Sequence, residues 1–109
     1  MAREGERFMR MIVFFDLPTL TKQDRRIAQQ FRNFLVKDGY TMLQLSVYSR
    51  ICKGEADIEK HAKRLKLLIP ENGSVRMLVV TEKQYASMTI FVGEIKKEEK
   101  LGAEQLLLF

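Results

Sequence analysis

Asp16 is the residue whose type and place most suggest chemistry. It ends an apolar run, Phe8 to Phe15, and is followed by Leu17-Pro18. A carboxylate is a hard oxygen donor suited to Mg2+, an ion held by one or two carboxylates while it keeps several waters. Such an ion activates water for attack on a phosphodiester. No second carboxylate lies close by in sequence, so a single chain supplies a poor site. The plainer reading of Asp16 taken alone is structural, an aspartate that closes a strand and accepts hydrogen bonds from turn amides.

Basic residues form the second group. Lys22, Arg25 and Arg26 stand at the start of a helical pattern, where backbone amides also favour phosphate; Arg50 and Lys53 follow an extended segment. Each is equally readable as a solvated face. Contacts of this kind would position a nucleic acid without reading bases, so binding would be sequence-tolerant and salt-dependent. Lys60, Lys63, Arg64 and Lys66 are spread around a helix and read better as solvated. Arg10 sits within the apolar run, beside Ile12 and Phe14, and a charge there requires a partner, either across a dimer or at the acidic site. Other chemistries find no support. The single histidine, His61, has no Cys or second His at zinc-ligand spacing, and the single cysteine, Cys52, has no histidine partner visible in sequence. The glycines form neither nucleotide-binding signature, and no strand carries the aromatic run of an RNA-recognition sheet.

The elements that must position these residues follow from periodicity. Phe8 to Phe15 is apolar on both faces, as in a strand covered on both sides. Thr21, with Asp24 three residues on, opens a helix over about 22–38. Ile27, Ala28, Phe31, Phe34 and Leu35 lie on one side of it, and Gly39 closes it. Thr41 to Tyr48 alternates as a strand, and the stretch from Leu45 to Cys52 is long enough to kink at Ser49 and supply two strands. Gly54 to Ile69 is a second helix with its seam at Ile58, Ala62, Leu65 and Ile69. Pro70-Glu71-Asn72-Gly73 is a turn. Val75 to Thr81 is a strand, and Met88 to Val92 a further short one. With the kink counted, the order is that of an α+β, ferredoxin-like βαββαβ sandwich over residues 1–92. Residues 93–109 then form a charged linker and an apolar docking strand ending Leu106-Leu-Leu-Phe109.

Two helices cover one sheet face. The second face, which carries Ile12, Phe14, Leu78 and Val80, needs another cover. The natural one in a chain of 109 residues is a second copy, sheet on sheet about a two-fold, with the apolar tail available to cross between subunits. The alternative is a monomer whose own tail folds over the sheet. Nineteen Lys and Arg against fourteen Asp and Glu, a net charge of +5, favour a polyanionic partner. A lone cysteine suits the reducing cytoplasm. No apolar run approaches the length of a membrane span, so no membrane role is expected.

With this layout in place, four segments resemble the CRISPR-associated Cas-two family, in the form found in systems with a single large effector nuclease. They are Met9-Arg-Met-Ile-Val-Phe-Phe-Asp-Leu-Pro18, Phe31-Arg-Asn-Phe-Leu35 with Gly39-Tyr40, Leu43-Gln-Leu-Ser-Val-Tyr-Ser-Arg50, and Gly73-Ser-Val-Arg-Met-Leu-Val-Val-Thr-Glu-Lys-Gln-Tyr85. Each motif alone is weak, but their order and spacing together are specific. The resemblance implies a homodimer that bridges dimers of the Cas-one integrase and binds duplex DNA during spacer acquisition. It also implies Mg2+ held at the dimer axis by the Asp16 carboxylate of each subunit, and an endonuclease activity on RNA or DNA. An endoribonuclease acting on its own is the alternative. A ligand-sensing regulatory domain is a third reading, which the basic charge disfavours.

Overall fold

A computed structural model describes residues 8–93. The linker and docking strand expected over 93–109 lie, Gly93 apart, outside these residues, and so does the question of whether that strand crosses between subunits.

The element order is β1 (Phe8–Asp16), α1 (Lys22–Lys37), β2 (Thr41–Gln44), β3 (Val47–Lys53), α2 (Gly54–Leu67), β4 (Ser74–Thr81) and α3 (Glu82–Ala86). The four strands form one antiparallel sheet in the order β2-β3-β1-β4. This is the ferredoxin-like arrangement: β1 lies between β3 and β4, and the two long helices are the crossovers. No helix of the described residues is long and apolar enough to cross a membrane.

Local chemistry sets the helix ends. The Thr21 hydroxyl accepts from the Asp24 amide at 2.9 Å, and Asp24 Oδ2 accepts from the Thr21 amide at 3.1 Å. This closes the expected capping box. At the other end the Tyr40 amide donates to the Leu35 carbonyl and the Gly39 amide to Val36. This bond pair needs a left-handed residue, and Gly39 supplies it at φ +94°.

The core lies between the helices and one sheet face. Val13 and Phe15 of β1 meet Ala28, Phe31 and Leu35 of α1, with Tyr48 and Leu65 completing the cluster. Phe15 and Phe31 pack edge to face at 5.1 Å. The expected seam of α2 is only partly buried: Leu65 is inside, while Ile69 falls beyond the end of the helix and is exposed.

Two expectations are corrected. The second extended stretch does divide into two strands, but at the Leu45-Ser46 turn rather than at Ser49, which lies within β3 and is fully buried. Met88 to Val92 forms no strand. The chain instead turns into α3 directly after β4, through a second capping box in which Thr81 Oγ1 accepts from the Gln84 amide and Gln84 Oε1 from the Thr81 amide. This turn carries residues 88–92 away from any strand partner, and Phe91 and Val92 are almost wholly exposed.

Candidate metal and nucleic-acid site

Alternation along β1 sends Met11, Val13 and Phe15 to the helix side and Phe8, Arg10, Ile12, Phe14 and Asp16 to the other face. Cross-strand partners share a face, so Val47, Ser49 and Ile51 of β3 and Arg76, Leu78 and Val80 of β4 join that second face. Among the described residues, α3 is its one covering element, and α3 covers one end.

At the covered end Arg10 is 1% exposed. Its guanidinium forks onto Glu82, Nε to Oε1 at 2.6 Å and Nη2 to Oε2 at 3.0 Å, and the Tyr85 ring lies over it at 4.2 Å. The Tyr85 hydroxyl in turn lies 3.2 Å from Ser49 Oγ. Arg10 therefore pairs within its own chain, not across a dimer and not at the acidic site. Sequence reading missed Glu82 and Tyr85, although the Thr81-x-x-Gln84 capping signature was there to place them on a helix.

At the other end Asp16 is exposed and makes no ion pair or side-chain hydrogen bond with any described residue. It stands opposite Ser74 at the last rung of the β1–β4 ladder. Gly73, at φ +105°, holds β4 close to it: a side chain there would come within 2.6 Å of the Asp16 carbonyl oxygen. Glycine is needed on both counts. Among the described residues no cluster of three metal-ligating side chains occurs. One exposed, uncommitted carboxylate on an uncovered face nevertheless fits half of a Mg2+ site, since that ion takes few protein ligands.

The basic residues separate. Lys22 and Arg26 are exposed on the first turns of α1, and no bond ties either to another described residue. Arg25 is exposed too, but its Nη1 donates to the Thr19 and Leu20 carbonyls at 3.1 Å, bracing the approach to α1. Lys53 is exposed at the end of β3. Arg50 turns to the helix side, where it is half-buried and donates to the Asp38 and Ile51 carbonyls against His61. The structure thus places Arg50 in an internal network, apart from Lys53.

That network ties α1 to α2. His61 is buried, with Nδ1 2.8 Å from Asp38 Oδ2 and Nε2 3.2 Å from Asp57 Oδ1; Arg64 Nη1 donates to Asp38 Oδ1 at 2.8 Å. Burial acts to raise Asp38, but the hydrogen bonds from His61 and Arg64 outweigh it and hold the carboxyl below its ordinary value. Asp57 is held down chiefly by the Lys53 amide. Cys52 is fully buried and burial pushes its thiol up, which makes it a poor nucleophile.

Fold and geometry together define a class: a small ferredoxin-like domain with one exposed carboxylate, Asp16, at the rim of a sheet face that α3 covers at its other end. Residues 9–88 match the family described as CRISPR associated protein Cas2, and the chain belongs to that family. Among its relatives is the CRISPR-associated endoribonuclease Cas2 of Acidovorax ebreus (strain TPSY), 53% identical over 93% of this chain and 100% of the relative. The protein of the same name from Campylobacter jejuni is 44% identical over 95% of this chain and 73% of its own length. The one from Flavobacterium psychrophilum is 40% identical over 91% and 86%.

Proposed function

We propose that this chain is a metal-dependent endoribonuclease of a CRISPR system and works as a homodimer. The observation that carries this is Asp16: exposed, uncommitted, and at the rim of an apolar sheet face that α3 leaves partly open. Two copies meeting on that face bury Phe14 and Leu78, which are 37% and 51% exposed in the single chain. The association brings the two Asp16 carboxylates towards one axis. Two close carboxylates repel, so a shared cation favours the arrangement. Mg2+ held there supplies Lewis-acid polarisation and an activated water. The chain's own residues do the rest: Gly73 fixes the Asp16 backbone, and the apolar rim limits water. The shared name of the relatives supports the reaction type.

A second role for the same dimer, bridging Cas-one integrase dimers on duplex DNA during spacer acquisition, is favoured by Lys22 and Arg26. Both project from a helix on the far side of the sheet from Asp16, where a duplex could lie without entering the acidic site.

One experiment tests both. Purified protein and its Asp16→Ala variant are incubated with single-stranded RNA and duplex DNA, with and without Mg2+, and in a reconstituted integration reaction with the cognate integrase. The nuclease reading expects Mg2+-dependent cleavage that the variant loses; cleavage that persists without Asp16 or without metal would sink it. The bridging role expects integration to survive in the variant.

A further inference from the structure

We propose that Arg76 is the phosphate-holding residue of the Asp16 site, binding the non-bridging oxygens of a single-stranded RNA backbone. The inference rests on the reading of Asp16 given above.

The β1–β4 register sets Asp16 opposite Ser74 and Phe14 opposite Arg76. Partners share a face, so Arg76 projects from the same side as Phe14 and Asp16, as the diagonal neighbour of Asp16. Diagonal positions across an antiparallel pair lie about 7–8 Å apart, within reach of a long side chain. On that face Arg76 has Phe14 directly across from it and Leu78 two residues along its own strand, both exposed apolar side chains, with Ser74 on its other side.

What sets Arg76 apart is its freedom. Of the arginines in the described residues, Arg10, Arg25, Arg32, Arg50 and Arg64 are all engaged by carboxylates or backbone carbonyls. Arg76 is exposed and has no hydrogen bond or ion pair to another described residue. Arg26 is likewise free, but it belongs to α1 on the opposite side of the sheet. A charge on an apolar face that association would cover needs an anion. Asp16 of either copy is the nearby candidate, but a carboxylate committed to a metal has little left to offer a guanidinium. A phosphodiester brought to that metal presents two oxygens in the fork geometry that guanidinium matches. Such an interaction reads no base, so it admits any RNA sequence.

The test uses the full chain and a fluorescently labelled single-stranded RNA. Binding is measured in the Asp16→Ala background, where the RNA stays intact. Adding Arg76→Ala is expected to weaken binding roughly ten- to a hundredfold, the worth of a charge-assisted hydrogen bond to phosphate. The salt dependence should become shallower by about 0.7 in log–log slope for each phosphate that is no longer neutralised. In otherwise unmodified protein Arg76→Ala lowers kcat/KM for cleavage by a similar factor and Arg76→Lys recovers part of it. Mn2+ affinity and sedimentation behaviour stay as they were. Unchanged RNA binding, with Asp16→Ala still inactive, overturns the assignment of Arg76 alone. Conversion to monomer by Arg76→Ala overturns it too, since the residue would then be an interface ion pair. Cleavage that survives Asp16→Ala removes the site itself and Arg76 with it.

Discussion

The two ends of one sheet face are built from the same strands by the same alternation, and they end in opposite states. At one end Arg10 is sealed under Tyr85 and paired with Glu82, 72 residues on. At the other, Asp16 and Arg76 stand exposed and uncommitted among the described residues. Neither strand accounts for the difference. It comes from α3, five residues long, which folds back over the Arg10 end and stops. A charge on an apolar face becomes structural when its own chain returns to neutralise it, and remains available for ligand chemistry when the chain does not.

The largest effect should come from opening the closed end. Glu82→Ala leaves Arg10 buried without its counter-ion, and chemical denaturation should show a loss of about 3–5 kcal/mol. Replacing both partners, Arg10→Met with Glu82→Leu, should recover most of it. Recovery that fails would mean that the pair does more than neutralise itself.

Gly73→Ala acts on the open end through the backbone. It forces a left-handed alanine and a clash with the Asp16 carbonyl. The expected cost is about 1–3 kcal/mol, with a fall in metal-dependent cleavage larger than the stability loss explains. A variant with the original kcat/KM would show that Gly73 shapes the turn without positioning Asp16.

The Asp38–His61–Arg64 network on the helix side sharpens the comparison with a third charged cluster, half structural and half solvent-facing. Asp38 and Asp57 both sit below their ordinary values in the folded protein. The stability they contribute is therefore complete above the unfolded-chain pKa, about 4, and drains away as pH falls through the lower folded values. Denaturation midpoints should drop below about pH 4, and more shallowly in an Asp38→Asn variant. An equally steep fall in that variant would assign the acid sensitivity elsewhere.

Asp16→Ala should cost least in stability, within about 0.5 kcal/mol, because nothing described leans on that side chain. Cleavage should fall to background all the same. A large stability loss would place Asp16 with Arg10 among structural charges.

Much of the frame is legible from the chain alone. The 3.6-residue period and the Thr21/Asp24 box define α1 to within a residue, Gly39 marks its end, and alternation exposes the two faces of β1 and β4. These are local properties, carried by residues a few positions apart, and four motifs in fixed order place the chain in its family. Local signals also mislead. The apolar stretch at Met88 to Val92 reads as a strand by composition, but a strand needs a neighbour, and the turn into α3 takes that neighbour away. Asp16 is legible as a candidate because an acidic residue closing an apolar strand is conspicuous in sequence. Its freedom is not, nor is the commitment of Arg50 to the Asp38 carbonyl and His61, nor the partner of Arg10. Tertiary structure alone decides which charges are spent inside the fold and which remain for a ligand, because an ion pair depends on distances between segments that no local period encodes.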